Sequence, residues 1–219
     1  MAHKQQVARL DYGEENIIKT DSKLNEKIIS RFKKEIPNYN FVILSDYGKH
    51  LFNKLFAQEI IKNCREKNVP VLSDLKPKNA HYFKNSFVVS PNLNESQNMS
   101  KINYNGKNLE KISEKIKKTL ETEYVIITCG EEGVFIYENK SNKIKIPTIA
   151  KDVSNPTGAG DTFAATLALG ISSGLDIFDA AKIANYSSGI VVEKIGAATT
   201  TQEELIKRLK NINVSHKCL

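Results

Sequence analysis

The sequence predicts an α/β fold: a mostly parallel, doubly wound sheet with helices on both faces. Three observations carry that prediction. Short apolar runs at 41–44, 70–74, 87–91 and from 124 onward have the length and composition of buried strands. Stretches with apolar residues at helical spacing separate them, as parallel strands joined by crossovers require. Each run also stops at polar residues, glycine or proline, where the chain can turn away from a sheet.

Taken in order, residues 2–12 alternate loosely and read as a strand, and 24–35 form an amphipathic helix with Ile28, Ile29 and Phe32 on one side. The run Phe41-Val42-Ile43-Leu44 ends in Ser45-Asp46-Tyr47-Gly48-Lys49. That places polar side chains at a carboxyl end, where α/β proteins bind ligands, although Asp46 also reads as a plain turn residue. Residues 52–66 make a crossover helix carrying Leu55, Phe56, Ile60 and Ile61, and the strand at 70–74 leads into Leu75-Lys76. The strand at 87–91 closes on a proline and runs into Asn92-Leu93-Asn94-Glu95. Residues 109–120 are a surface helix, followed by the buried strand from Tyr124 and a glycine turn at Gly130-Glu131-Glu132-Gly133. Residues 134–137 and 143–147 are expected to pair as an antiparallel hairpin across 139–142. Ala164-Ala165-Thr166-Leu167-Ala168-Leu169 reads as a buried helix ending at 171–174. A helix rich in Ala, Ser and Gly begins at 176–180, a last amphipathic helix spans 202–209, and 211–219 is a frayed tail.

At 219 residues the chain suits one domain with a full core, or a large piece of one. Its composition, 40% hydrophobic and 26% charged, is that of a globular protein rather than a disordered or fibrous one. The net charge of +7 comes from scattered lysines interleaved with Asp and Glu. Without clustered arginine, aromatic platforms or a recognisable nucleic-acid motif, it reads as a solvated face that favours anionic, phosphorylated ligands. Cys64, Cys129 and Cys218 have no disulfide or metal-ligand spacing, which fits a reducing cytoplasm. The sequence shows no signal peptide and no apolar run of membrane length, so a cytoplasmic chain with no membrane partner is expected.

The stretch Asn155-Pro156-Thr157-Gly158-Ala159-Gly160-Asp161-Thr162-Phe163 carries the chemistry. Glycines let the backbone turn tightly and bring N–H groups close to a ligand, and the start of the following helix adds free amide donors. Asp161 falls in the first turn. An anion cradle with a carboxylate at its lip suits phosphoryl transfer to a hydroxyl: the carboxylate accepts the hydroxyl proton and the amides hold the migrating charge. The same residues also make a turn with a well-capped helix. Asn92 and Glu95 are likewise open to two readings. They form a capping box, or an amide and a carboxylate that order a hydrated Mg²⁺.

Thr-Gly-Ala-Gly-Asp-Thr-Phe at 157–163 resembles the signature of the ribokinase-like (PfkB) sugar kinases. Residues 181–199 are similar to one branch of that family, the D-glycero-β-D-manno-heptose 7-phosphate 1-kinases, which occur alone or as the kinase half of bifunctional heptose enzymes. Gln-Gln-x-x-Arg-x-Asp at 5–11, Ser-Asp-Tyr at 45–47, Asp74 and Lys76, and Thr-x-Gly-x-x-Gly at 128–133 agree. The resemblance runs from about residue 3 to about residue 206. It makes residues 1–210 the carboxyl-terminal two-thirds of a ribokinase-like kinase domain, with 211–219 the tail. Roughly the first third of the family's domain, with most of its β lid, has no counterpart.

The resemblance implies an ATP- and Mg²⁺-dependent kinase acting on the anomeric hydroxyl of a heptose 7-phosphate, for ADP-heptose and lipopolysaccharide core synthesis. Asp161 would be the base, with Gly158, Ala159 and Gly160 as the anion hole. Asn92 and Glu95 would organise Mg²⁺. Thr128, Gly130, Gly133, Asn185 and Gly189 would lie on the nucleotide side, and Asp46, Lys49, Asp74 and Lys76 on the sugar side. For Asn185 and Gly189, helix packing is the competing reading. Departures from the family pattern are His50 for a usual glycine, Leu75 for a usual proline and Asn155-Pro156 where an aspartate is usual. The alternatives are a different sugar or a non-catalytic nucleotide-binding fragment. A homodimer, or a partner chain supplying the missing amino-terminal segment, stays open.

Overall fold

Parallel strands can be joined only through crossovers. In the computed structural model, which describes residues 22–150 and 157–215, helices at the expected segments 52–66 and 109–120 supply two of those crossovers, and the one between the strands at 70–74 and 87–91 was not foreseen. The expected strand at 2–12, Asn155-Pro156 and Cys218 lie outside the described residues. Backbone contacts divide the chain into two compact units.

The first unit comprises the described residues 22–130 and 134–145. Its sheet runs in chain order: β1 (Val42–Ser45), β2 (Val71–Asp74), β3 (Val88–Val89), β4 (Tyr124–Thr128), β5 (Val134–Tyr137) and β6 (Lys143–Ile146). β1 to β4 are parallel, with Ser45 opposite Asp74, Ser73 opposite Val89, and Val89 opposite Val125. β5 turns back antiparallel to β4, pairing Thr128 with Val134. The hairpin reading placed β5 and β6 as neighbours, and they are. β3 is only two residues long, although the Ser90 amide still donates to the Ser73 carbonyl at 3.3 Å and the Pro91 carbonyl still accepts from Thr128.

Four helices accompany the sheet: α1 (Ser22–Glu35), α2 (Lys54–Glu66), α3 (Leu93–Ser100) and α4 (Leu109–Leu120). The connection from β2 to β3 has only the 3-10 helix Pro77–Tyr82. α4 begins and ends where its periodicity predicts. Leu109, Ile112, Ile116 and Leu120 form its buried stripe against β4 and β5. They join Phe56, Ile60, Ile61 and Cys64 of α2 and Leu44, Val71, Val89, Val125 and Ile127 of the strands in one core. Burying each such aliphatic side chain contributes about 1.5–3 kcal/mol. The alternate strand residues Leu72, Val88, Ile126 and Ile136 are buried too, so both faces of β2 to β5 are shielded, as parallel strands require, while Ile43 of β1 is exposed. Burial pushes the Cys64 thiol up to about 12, which makes it an inert core residue.

The second unit comprises the described residues 131–133, 146–150 and 157–215. It is built on α5 (Ala159–Ser172), α6 (Ile177–Val192) and α7 (Gln202–Ser215). α5 and α6 pack closely because small residues meet at their crossing: a Cβ on Gly170 would fall 2.9 Å from Ala180 Cβ. Thr166 Oγ1 and Ser187 Oγ, 3.1 Å apart, share a hydrogen bond across the same interface. Asp176 caps α6, its Oδ1 accepting from the N–H groups of Phe178 and Asp179. Two expectations need correction here. α5 is not buried all round, since Leu169 is 69% exposed; apolar content alone does not distinguish a buried helix from a half-buried one. α7 continues to Ser215, past the expected end at Leu209 and into the expected tail, because no glycine or proline stops it.

Among the described residues, no helix is long and apolar enough to cross a membrane. One feature of α4 runs against stability. Ser113 is fully buried in its apolar stripe and its Oγ has no hydrogen-bond partner. Desolvating an unpaired hydroxyl costs about 1–3 kcal/mol, and alanine is the better helix former. Ser113→Ala is therefore expected to raise the urea midpoint at unchanged m-value, with a gain of about 1 kcal/mol.

Candidate active site

Because β1 to β4 are parallel, the residues following them all leave the sheet at one edge. Asp46, Asp74, Asn92 and Thr128 therefore stand in a row along it. The Asp46 amide donates to the Asp74 carbonyl at 2.8 Å, and the Thr128 amide donates to the Pro91 carbonyl at 3.1 Å. An isolated parallel bridge joins Asn92 to Thr128.

Asp46 is buried and both its oxygens are engaged. Oδ1 accepts from the Gly48 amide at 2.8 Å, and Oδ2 accepts from Asn79 Nδ2 at 2.7 Å. This is the geometry of a residue that holds the loop's shape. Gly48 sits at φ +71° with Lys78 packed over it, and Lys78 Nζ donates to its carbonyl at 3.2 Å. His50, at the position where the family resemblance expects glycine, also adopts a left-handed φ of +64°. The backbone there keeps a conformation that glycine adopts most easily. Lys49 is exposed, and Asp74 is half-buried at the end of β2.

Asn92 and Glu95 form a complete capping box at the start of α3. The Asn92 side chain accepts from the Glu95 amide at 2.9 Å, and Glu95 Oε2 accepts from the Asn92 amide at 3.0 Å. Glu95 Oε1 takes an ion pair from Lys76 Nζ at 2.8 Å. That hydrogen bond, with Asp74 and Asp46 adding, raises the Lys76 ammonium above the ordinary lysine range against the opposing effect of burial. The structure thus joins Lys76, expected on the sugar side, to Glu95, expected on the metal side. Among the described residues no three His, Cys, Asp or Glu side chains cluster to hold a metal. A single fixed carboxylate beside an amide does not build a protein cage. It does fit a cation such as Mg²⁺ that keeps most of its waters and takes further ligands from phosphates, since the carboxylate retains free lone pairs.

Gly130 and Gly133, after β4, have positive φ of +58° and +86°. They differ in what surrounds them. A Cβ on Gly133 would fall 2.0 Å from the Ile146 carbonyl oxygen, whereas nothing lies within 4 Å of one on Gly130. Gly133 is required by packing, and Gly130 leaves open backbone.

In the second unit, Gly158 is the N-cap of α5 at φ +84°, and its carbonyl accepts from Thr162 N at 2.9 Å. Ala159, Gly160 and Asp161 form the first turn, where helical amides lack intrahelical partners. Gly160 and Asp161 are exposed. Ser188 of α6 fastens this turn by donating its Oγ to the Ala159 carbonyl at 2.9 Å. Asn185 is buried, and its Nδ2 donates to the Pro147 carbonyl at 2.8 Å. A Cβ on Gly189 would touch Ile149 at 3.4 Å. Both positions have the geometry of helix packing.

Asn79, Lys78 and Ser188 escaped the sequence reading. The Pro-Lys-Asn run after Lys76 was the only local sign of the first two, and nothing near Ser188 signals its partner 29 residues away.

Residues 5–204 match the pfkB family of carbohydrate kinases, and the chain belongs to that family. Family members are phosphotransferases. The chain is 36% identical over 218 residues to the bifunctional protein HldE of Aliarcobacter butzleri, covering 99% of this chain and 45% of that protein. It is 37% identical over 207 residues to the bifunctional protein HldE of Nitratiruptor sp., covering 94% of this chain and 43% of that one. It therefore spans less than half the length of these curated relatives. In structure it resembles Arabidopsis thaliana ribokinase complexed with ribose and ATP, with a TM-score of 0.68 and 21% identity over 81% of this chain and 58% of that one. Escherichia coli phosphofructokinase-2 in complex with potassium gives a TM-score of 0.74 at 13% identity, over 87% and 63% of the two chains. These two likenesses establish the ribokinase-like fold.

The capping box can be tested apart from any ligand. Asn92→Ala is expected to lower stability in urea by about 1 kcal/mol, and Asn92→Ser to recover most of the loss.

Proposed function

We propose that the chain catalyses ATP-dependent phosphorylation of the anomeric hydroxyl of D-glycero-D-manno-heptose 7-phosphate, in the cytoplasm, toward ADP-heptose and the lipopolysaccharide core. One observation carries the kinase reading: an exposed carboxylate, Asp161, in the first turn of a helix entered through a left-handed glycine. The heptose assignment is supported by the similarity of residues 181–199 to the heptose 7-phosphate kinase branch.

In this reading Asp161 accepts the proton of the anomeric hydroxyl. The hydroxyl oxygen forms its bond to the γ-phosphorus, the bond to the β–γ bridging oxygen breaks, and ADP leaves with that electron pair. The amides of Gly158, Ala159 and Gly160 hold the transferring charge without reorganising, because Gly158 and the Ser188 contact fix the turn beforehand. Mg²⁺, held through its water shell by Asn92 and Glu95, would neutralise phosphate charge. Thr128 and the open backbone at Gly130 serve the nucleotide, and Lys49, Asp74 and Lys76 the phosphosugar. Asp46 holds the loop that presents Lys49. Gly133, Asn185 and Gly189 act through packing.

Asp161→Asn keeps the size and polarity of the side chain and removes the base. It is expected to lower sugar-dependent ADP formation by at least about 10²-fold while leaving the ATP-induced rise in Tm unchanged. Turnover at the parental rate would remove Asp161 from the base role.

A further inference from the structure

The loop between α6 and α7 reaches the entry to α5. A Cβ on Gly158 would stand 3.4 Å from the Ala198 carbonyl oxygen, so that carbonyl faces the left-handed residue opening the first turn. Lys194 closes the loop. Its Nζ donates to the Thr199 carbonyl at 2.7 Å and to Glu204 Oε2 of α7 at 2.7 Å. Glu204 Oε2 also accepts from the Thr201 amide at 2.8 Å, and Thr201 Oγ1 accepts from the Glu204 amide at 3.2 Å. The carboxylate thus caps α7 while it holds the lysine. The Lys194 hydrogen bond, with the Thr201 amide adding, keeps the Glu204 carboxyl below the ordinary glutamate range. Thr200 Oγ1 donates to the Ser187 carbonyl at 2.8 Å, and the neighbouring Ser188 fastens the first turn of α5. Adjacent residues of α6 therefore tie down both the loop and the turn it faces.

We infer that Lys194 is a positioning residue for the first turn of α5, acting through the loop at 195–200. The side chains of Lys194 and Glu204 are 31% and 39% exposed, and an ion pair this accessible adds little to global stability. What the ammonium fixes is the course of the loop, and with it the carbonyl that bounds Gly158. Without it the Thr199 carbonyl loses its donor, the loop relaxes, and the turn loses the preorganised aim that a developing phosphoryl charge requires. This rests on the reading of that turn as the phosphoryl site and adds a residue that holds it in place.

The test reads turnover with Mg²⁺·ATP and heptose 7-phosphate, and amide hydrogen exchange in the ligand-free chain. Lys194→Met is expected to lower kcat about tenfold at unchanged KM for ATP, since misplacement costs the transition state more than ground-state binding. It is also expected to speed exchange in 195–200 and in 158–163, where the Thr162 amide bonds to the Gly158 carbonyl. Lys194→Arg, which keeps donor and charge, is expected to retain most of the parental rate. Glu204→Gln, which weakens the pair from the α7 side, is expected to move both readouts the same way by less. Arg208→Met removes the other α7 tie, to Glu193 and the Ile149 carbonyl, and is expected to lower the urea midpoint with parental kcat and parental exchange at 158–163. Parental kcat or parental exchange at 158–163 in Lys194→Met would overturn the inference. So would an equal loss of kcat in Arg208→Met, or no recovery in Lys194→Arg. A parent that makes no ADP with this sugar counts against the heptose assignment, and exchange then decides alone: faster exchange at 158–163 in Lys194→Met sustains the inference and unchanged exchange overturns it.

Discussion

Parallel pairing of β1 to β4 imposes a directional constraint on everything that follows. Four strands running the same way must release their chains at the same edge, and sequential order places those exits side by side. Residues as distant in sequence as Asp46 and Thr128 are thereby brought onto one line. An antiparallel meander with the same strand sequences would have sent alternate exits to opposite edges. The reversal at β5 comes only after the fourth exit, beyond the glycine turn at Gly130–Gly133.

At that edge the atoms proposed to do chemistry also hold the structure together. Asn92 and Glu95 cap α3, and this is what fixes the Glu95 carboxylate in one orientation. The capping-box reading and the proposed metal role therefore do not compete, since a cap that fixes the carboxylate is what such a role would require. Asp46 illustrates the opposite outcome. Its oxygens are spent on Gly48 and Asn79, so what it does is shape the loop. The start of α5 follows the first pattern: Gly158 supplies the left-handed entry and Ser188 secures the first turn.

What the sequence disclosed depended on the range of the interaction. α4 was legible to the residue, because its stripe at 109, 112, 116 and 120 is a local period between two polar flanks. β1, β2 and β4 were legible because each is an apolar run closed by a turn signal. β3 came out shorter, since a proline marks a strand's end without showing how early pairing stops. The exposure of Leu169 was not legible, because an apolar helix carries no record of which face meets its neighbour. At the site, residue identities were readable from motifs while their partnerships were not. Lys76 and Glu95 lie 19 residues apart, and only the adjacency of β2 and β3 brings them together. Asn185 and Gly189 were read from motif position. Their burial, and the tie of Asn185 to Pro147, depend on how α6 packs.

The central claim, that this chain moves a phosphoryl group from ATP to a sugar hydroxyl, is tested most directly by observing the product. Purified chain, Mg²⁺·ATP and D-glycero-D-manno-heptose 7-phosphate would be followed by ³¹P NMR. The account predicts a new resonance from phosphate on the anomeric oxygen, growing in step with ADP, and no ADP when the sugar is omitted. ADP and free phosphate forming at the same rate with and without the sugar, or ATP that persists unchanged beside it, would contradict the account.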